Sequence, residues 1–382
     1  MKLIHDETFF SEKSIRERAK RYGFSDLLPV ELFLWDCEVA AQLQYESDKL
    51  VLKGGAAVQL HLPVEMQRGS VDVDLVGPLT QHDIQEIVSQ IPKRLPAISF
   101  EHYTPKRPKT NIPLTTYSVK TPAIIPTETR KNLTIKAEFL LEDLKIPIET
   151  VTEVETFAVK VKILKCYSVT ALLGDKLLTL AENTIGIQEK ADIPKQIYDV
   201  ALLSERYTPT PKHLSEIIDV IKQLSLIEAG YRNTKLSPKD ALEDVRNTME
   251  KYSLLDTAGG DNSIKRNITN FQQFYVGESQ RRPLYEWCAW TLRIRFLTQL
   301  MLAAIEGQIT TSDVAKLYSS AIQVAQSLQT IHGQDIKEVR RKLMALASEN
   351  IPFFKELRGK PLHRVFWQVV NRENLDVIRN SI

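Results

Sequence analysis

From Ser70 to Leu75 the chain alternates polar and apolar residues without a break: Ser-Val-Asp-Val-Asp-Leu. An extended strand with one buried face fits this period; a helix would scatter the two acids over different sides. Val71, Val73 and Leu75 then point into a core, and Ser70, Asp72 and Asp74 share the opposite face. Two carboxylates this close repel unless a cation lies between them. A hard divalent ion, Mg²⁺ or Mn²⁺, suits such oxygen ligands and leaves room for substrate phosphates. Asp72 and Asp74 are therefore the candidate catalytic metal ligands. A solvated surface strand can carry the same short pattern, so the surrounding residues have to decide.

Upstream, Lys49 to Leu52 reads as a strand that runs into Gly54-Gly55 and a short helix, Ala56 to Leu62. Glycines at such a junction let backbone N–H groups approach phosphate oxygens, which makes Gly54 and Gly55 candidate nucleotide-binding positions. Ser70 and Arg68 are candidates on the same grounds, although Arg68 would serve equally to pin the end of the strand. No G-x-x-x-x-G-K-[ST] occurs, so a P-loop is excluded. A second alternating strand, Asn132 to Leu141, leaves Lys136 and Glu138 on its polar face. If it lies beside the first, Glu138 completes a three-carboxylate metal site; a surface Lys–Glu face is the alternative. Farther on, Lys176 interrupts a helical apolar stripe of Val169, Leu172, Leu173, Leu177 and Leu180. Asp199 stands alone in the apolar run Ile197 to Leu203. Each needs a partner, and each is the natural partner of the other.

The first two hundred residues of the 382 mix strand and helix signals, and the remainder reads as helical. This is an α/β (α+β) pattern: a mixed sheet flanked by helices, followed by an all-helical C-terminal domain. Tyr207-Thr208-Pro209-Thr210-Pro211 is the expected linker, which gives domains over 1–206 and 207–382. Later breaks fall at Ala258-Gly259-Gly260, Gly307 and Gly333. Lys+Arg against Asp+Glu is 26 to 29 in residues 1–206 and 24 to 19 in residues 207–382. The C-terminal part thus carries the net positive charge that a polyanion could use. Arg340-Arg341-Lys342 and the stretch Arg358 to Arg364 supply basic groups there, with Trp287, Trp290 and Trp367 nearby. Aromatics can stack on bases, but rings of this size belong to the core more often than to the surface, so charge carries the argument. Three scattered cysteines fit neither a disulfide framework nor a zinc site. With no apolar leader visible and arginines inside the longest apolar stretch, the expected location is cytoplasmic, without a membrane partner.

Taken in order, these segments resemble the AbiEii/MenT family of nucleotidyltransferase toxins from type IV toxin–antitoxin and abortive-infection systems. The family's Gly-Gly-Ser/Thr turn corresponds to Gly54-Gly55-Ala56, and its R-x-S-x-D-x-D strand to Arg68 through Asp74. Its K-x-D/E strand corresponds to Lys136-Ala137-Glu138. Its acid–Lys helix corresponds to Asp175-Lys176, and its D-x-Y-D-L motif to Gln196-Ile197-Tyr198-Asp199-Val200. The resemblance implies a nucleotidyltransferase-type mixed sheet, an NTP substrate, Mg²⁺ or Mn²⁺, and release of pyrophosphate. It also implies catalytic roles for Asp72, Asp74, Lys176 and Asp199, phosphate contacts from Lys176, an RNA acceptor (the 3′ end of tRNA) and a cognate antitoxin. Two other readings stay open: transfer to a protein or small-molecule hydroxyl, and a silent relative that binds RNA or a partner protein. Ala56 departs from the family by removing one hydroxyl bond to a phosphate, worth about 1 kcal/mol.

Overall fold

The computed structural model describes residues 2–104, 111–207, 209–331 and 335–380. Thr208 of the expected linker and Gly333 of the expected breaks lie outside them. The chain forms two compact units, Met1–Leu172 with Asn270–Arg281, and Leu173–Thr269 with Arg282–Ile382. The boundary expected at 206/207 falls inside the second unit, and the first is discontinuous in sequence. Helix α6 ends at Arg206 and α7 begins at Pro211, whose ring suits a first helical turn.

The first unit is a seven-stranded mixed sheet with helices. In chain order its elements are α1 (Glu12–Tyr22), α2 (Leu28–Glu46), β1 (Val51–Lys53), α3 (Gly54–Gln59), β2 (Asp72–Val76) and α4 (Gln81–Arg94). Then come β3 (Ser99–His102), β4 (Leu114–Pro122), β5 (Asn132–Leu140), β6 (Ile148–Glu155), β7 (Lys160–Tyr167) and the start of α5 (Val169–Thr179). The strands lie in the order β3-β4-β5-β2-β1-β7-β6. β2 runs parallel to β5 and antiparallel to β1, so the two strands with alternating polar faces are neighbours. On the core side Val73, Leu75, Ile135, Ala137 and Phe139 are fully buried, as the period of two requires. α2 packs on β2, β5, β7 and α4, and every residue from Pro29 to Leu43 is buried. It therefore has no solvent face, and its acids Glu31, Asp36 and Glu38 all lie inside the unit. Glu38 accepts from the backbone N–H of Ile4 and from Gln42 Nε2, and it contacts His5 Nδ1 at 2.7 Å. Glu31 accepts from the N–H groups of Ile124 and Ile125 after β4.

The segment Asn270–Arg281 closes the same unit. Gly69 N–H donates to Tyr275 carbonyl at 2.8 Å, and Arg68 bridges Val276. Gly69 faces Pro29 and Tyr275 so closely that a Cβ would lie 3.2 and 3.3 Å from them.

The second unit is helical. It holds most of α5, α6 (Ile193–Arg206), α7 (Pro211–Tyr231), α8 (Pro238–Ser253) and most of α9 (Asn262–Tyr275). After the return segment it continues with α10 (Leu284–Ile305), α11 (Thr311–Thr330), α12 (Asp335–Asn350), α13 (Leu362–Val369) and α14 (Leu375–Arg379). α10 is the central element, packing on α6, α8, α11 and α13. Among the described residues it is the one helix long and apolar enough to cross a membrane, with 78% of its apolar window buried inside the protein. Its arginines are engaged: Arg293 donates to Glu205 at 2.9 Å and Arg295 pairs with Glu250. Cys37, Cys166 and Cys288 are free thiols, all buried.

Candidate active site

Because β2 and β5 are parallel and in register, Asp72 stands beside Lys136 and Asp74 beside Glu138. Across the other edge of β2, Lys53 stands beside Asp74. Direct neighbours on adjacent strands share a face, so Asp72, Asp74, Glu138, Lys136 and Lys53 belong to one polar patch. Lys136 and Glu138 are ion-paired, and their side chains are 46% and 27% exposed. The Lys136 ammonium is pushed above its ordinary range: burial opposes the charge, but Glu138 first and then Asp72 and Asp74 outweigh it.

The glycine turn is built against this patch. Gly54 opens α3 with φ +71, and a Cβ there would lie 2.0 Å from Asp74 Oδ2. A Cβ on Gly55 would lie 2.9 Å from the Arg68 guanidinium and 3.4 Å from the Ser70 hydroxyl. Gly54 therefore permits an approach that no side chain allows, and Gly55 leaves room for the Arg68 and Ser70 side chains. Ser70 precedes β2, which begins at Asp72, and is 5% exposed. Arg68 is 2% exposed; its N–H donates to Gln59 Oε1 at 2.8 Å and its guanidinium donates to Gly69 carbonyl at 2.7 Å. Gln59 in turn donates to Gly55 carbonyl at 3.0 Å, so one amide ties the glycine turn to the start of β2. Ala56 is buried at 3%.

Asp36 is the acid that sequence reasoning missed. It is fully buried on α2, and neither carboxyl oxygen meets hydrogen-bond geometry among the described residues. Burial drives its carboxyl well above the usual carboxylate range, the negative charges of Asp72 and Asp74 add to this, and the Ser70 hydroxyl opposes it. Nothing in the alternation around residue 72 points to a residue this far upstream.

Lys176 and Asp199 both belong to the second unit, and there they meet. Lys176 Nζ donates to Gln196 Oε1 at 2.8 Å and lies 3.5 Å from Asp199 Oδ2. The ammonium is 6% exposed and the carboxylate 0%. α5 and α6 deliver the two charges, and Gln196, one turn before Asp199, is a third member that the sequence did not single out. Tyr198 beside them packs edge-on to Trp290 at 5.8 Å.

The tryptophans near the basic residues are core side chains, not surfaces available to RNA. Trp287, Trp290 and Trp367 are exposed by 0%, 7% and 3%, because they form part of the core of the second unit. Arg340 donates to the carbonyls of Arg358 and Lys360 at 2.9 Å each. Arg341 and Lys342 both face Glu338, at 2.8 and 3.6 Å. Arg364 is buried and bound to Asp256 and to the Ser253 carbonyl. The buried rings remove the aromatic part of the docking argument, while Arg341 and Lys342 keep 70% and 38% of their side chains exposed.

Among the described residues no three His, Cys, Asp or Glu side chains are grouped to enclose a metal ion. Asp72 and Asp74 by themselves still suit Mg²⁺, which is ordinarily held by one or two carboxylates together with substrate phosphates.

The chain resembles several solved structures, each at 14% identity. JHP933 from Helicobacter pylori matches with a TM-score of 0.38, over 71% of this chain and 91% of that one. MenT4, a nucleotidyltransferase toxin from Mycobacterium tuberculosis H37Rv, matches with a TM-score of 0.34 over 76% and 98%. A nucleotidyltransferase-like antigenic protein from Paracoccidioides brasiliensis matches with a TM-score of 0.33 over 53% and 93%. No curated protein sequence matches. The family model for the nucleotidyl transferase AbiEii toxin of type IV toxin–antitoxin systems matches residues 39–263, a span that holds the glycine turn, both acidic strands and the Lys176–Asp199 pair. With more than half of its length in that match, the chain belongs to the AbiEii family of nucleotidyltransferase toxins.

Proposed function

We propose that the protein transfers a nucleoside monophosphate from an NTP to a hydroxyl of an RNA acceptor, the 3′ end of tRNA, and so blocks translation. The observation that carries this reading is the Asp74 carboxylate lying against Gly54 at the head of α3, with Asp72 on the same strand face. In the proposed reaction the acceptor hydroxyl oxygen attacks the α-phosphorus and loses its proton. The bond from the α-phosphorus to its bridging oxygen breaks, and pyrophosphate leaves. A divalent cation held by Asp72 and Asp74 would supply charge neutralisation for the triphosphate. The backbone at Gly54 and Gly55 offers N–H donors, with Ser70 and Arg68 behind it. Within the second unit, Gln196 and Asp199 hold the Lys176 ammonium in one position, and its phosphate-binding role rests on the family resemblance.

The tRNA acceptor rests on the family resemblance and on the excess of basic residues in 207–382. A type IV system further supplies a cognate antitoxin as the expected partner. Incubating the purified protein with each labelled NTP, Mg²⁺ and total tRNA tests the proposal. Label on tRNA 3′ ends supports it. Label on protein or small molecules replaces the acceptor, and no transfer with any NTP removes the activity.

A further inference from the structure

The polar patch of the sheet mixes three acids with two lysines. Along β2 run Asp72 and Asp74; beside them on β5 run Lys136 and Glu138; beside Asp74 on β1 is Lys53. Same-face neighbours stand about 5 Å apart across strands and about 7 Å along them, so these charges act on one another directly. Three acids and two lysines give the patch a formal charge of −1. Glu138, the acid that would complete a second cation site, is already bound to an ammonium from its own strand. That ammonium also lies in the field of Asp72 and Asp74. A first divalent ion at Asp72 and Asp74 brings the patch to +1 before the triphosphate arrives. A second, at Glu138, would have to displace Lys136 from its ion pair and bring the patch to +3. The Lys136–Glu138 pair is partly exposed on this face, and so can reach bound nucleotide.

We infer that the site takes one divalent cation, held by Asp72 and Asp74, and that Lys136, docked on Glu138, is the resident positive charge where a second cation would otherwise bind. The inference rests on the nucleotidyltransferase reading of Asp72 and Asp74 and deepens it. Glu138 becomes the holder of a lysine rather than a metal ligand, and Lys136 becomes a phosphate-facing residue of the β5 edge. Lysine suits this position because its ammonium is a point charge on a long stem, able to follow a phosphoryl oxygen without leaving its carboxylate.

Crystals of the full chain grown with Mn²⁺ and a non-transferable α,β-methylene nucleoside triphosphate, each of the four bases in turn, provide the test. Anomalous scattering locates every Mn²⁺ irrespective of activity. The wild type is expected to show one Mn²⁺ peak at Asp72 and Asp74, Lys136→Ala a second peak at Glu138, and Lys136→Arg again one. A Glu138 peak in the wild type, or a single peak in Lys136→Ala, overturns the inference while leaving the metal reading of Asp72 and Asp74 intact. Absence of Mn²⁺ from Asp72 and Asp74 in every crystal overturns both. Because Lys136 is half exposed, its variants are expected to fold, and equal thermal melts verify this before any peak is interpreted.

Discussion

Gly54 and Asp74 are in such close contact that a methyl group on the glycine would lie 2.0 Å from the carboxylate oxygen Oδ2. The glycine also holds a positive φ of 71, which an L-residue adopts at a cost of about 1–2 kcal/mol. Gly54→Ala therefore has to move either the turn or the acid. The expected result is loss of nucleotide transfer by at least about 100-fold with a modest drop in thermal stability. Transfer at the wild-type rate would show that the Asp74 carboxylate is not part of the reacting geometry.

Asp72→Asn and Asp74→Asn remove one charge each without changing side-chain volume. Each is expected to lower turnover by on the order of 100-fold or more. Circular dichroism and melting curves should stay close to wild type, since the core side of β2 is untouched. Turnover within a few-fold of wild type in either variant would remove the metal assignment.

Lys176 and Asp199 form a buried pair, so their substitutions should not be additive. Asp199→Ala leaves an ammonium in the core and is expected to cost roughly 3 kcal/mol in chemical denaturation. Adding Lys176→Met removes the stranded charge, and the double variant should recover part of that loss. All of these variants should be inactive. A double variant destabilised by the full sum of the two single losses would mean that the two charges do not depend on one another.

Asp36 sets a pH dependence of stability whose sign follows from the direction of its shift. Its folded carboxyl is raised above the unfolded value, so the unfolded chain gives up the proton more readily. Stability is then lost as pH rises past the ordinary Asp range toward the folded value. In metal-free protein, Asp36→Asn should be more stable than wild type at pH 8 by about 1–3 kcal/mol, with the difference closing near pH 4. Parallel denaturation curves at the two pH values decide it. A variant less stable than wild type at pH 8 would show that the carboxyl is stabilising where it lies.

The parts of the site that were legible in the sequence are those whose placement follows from a local period. Asp72 and Asp74 share a face because strands repeat every two residues, and Glu138 shares it because β5 alternates too and pairs in register. The Lys176–Asp199 contact was legible as two misplaced charges in apolar runs. Asp36 was not, because α2 is buried on every side and its acids show no preferred face. A helix without a solvent side has no amphipathic pattern to read. The tryptophans of the helical part, expected in the core more often than on the surface, are buried, because rings of this size fill the interior between packed helices. The expected break at 206/207 followed real turn chemistry, but turn chemistry records where helices stop, not which core each one joins.

The return of Asn270–Arg281 to the first unit also sets a clock on synthesis. Gly69 and Arg68, at the threshold of the acidic strand, take backbone partners from Tyr275 and Val276. A ribosome that has finished the sheet at Tyr167 must still add about a hundred residues before those partners exist. At ordinary elongation rates that interval is roughly 5–20 s. During it the nascent chain carries Arg68 and Gly69 without the segment that pairs with them. A message cut short before residue 270 yields a sheet whose Arg68 and Gly69 lack these partners, so a prematurely terminated chain is expected to hold the start of β2 less firmly.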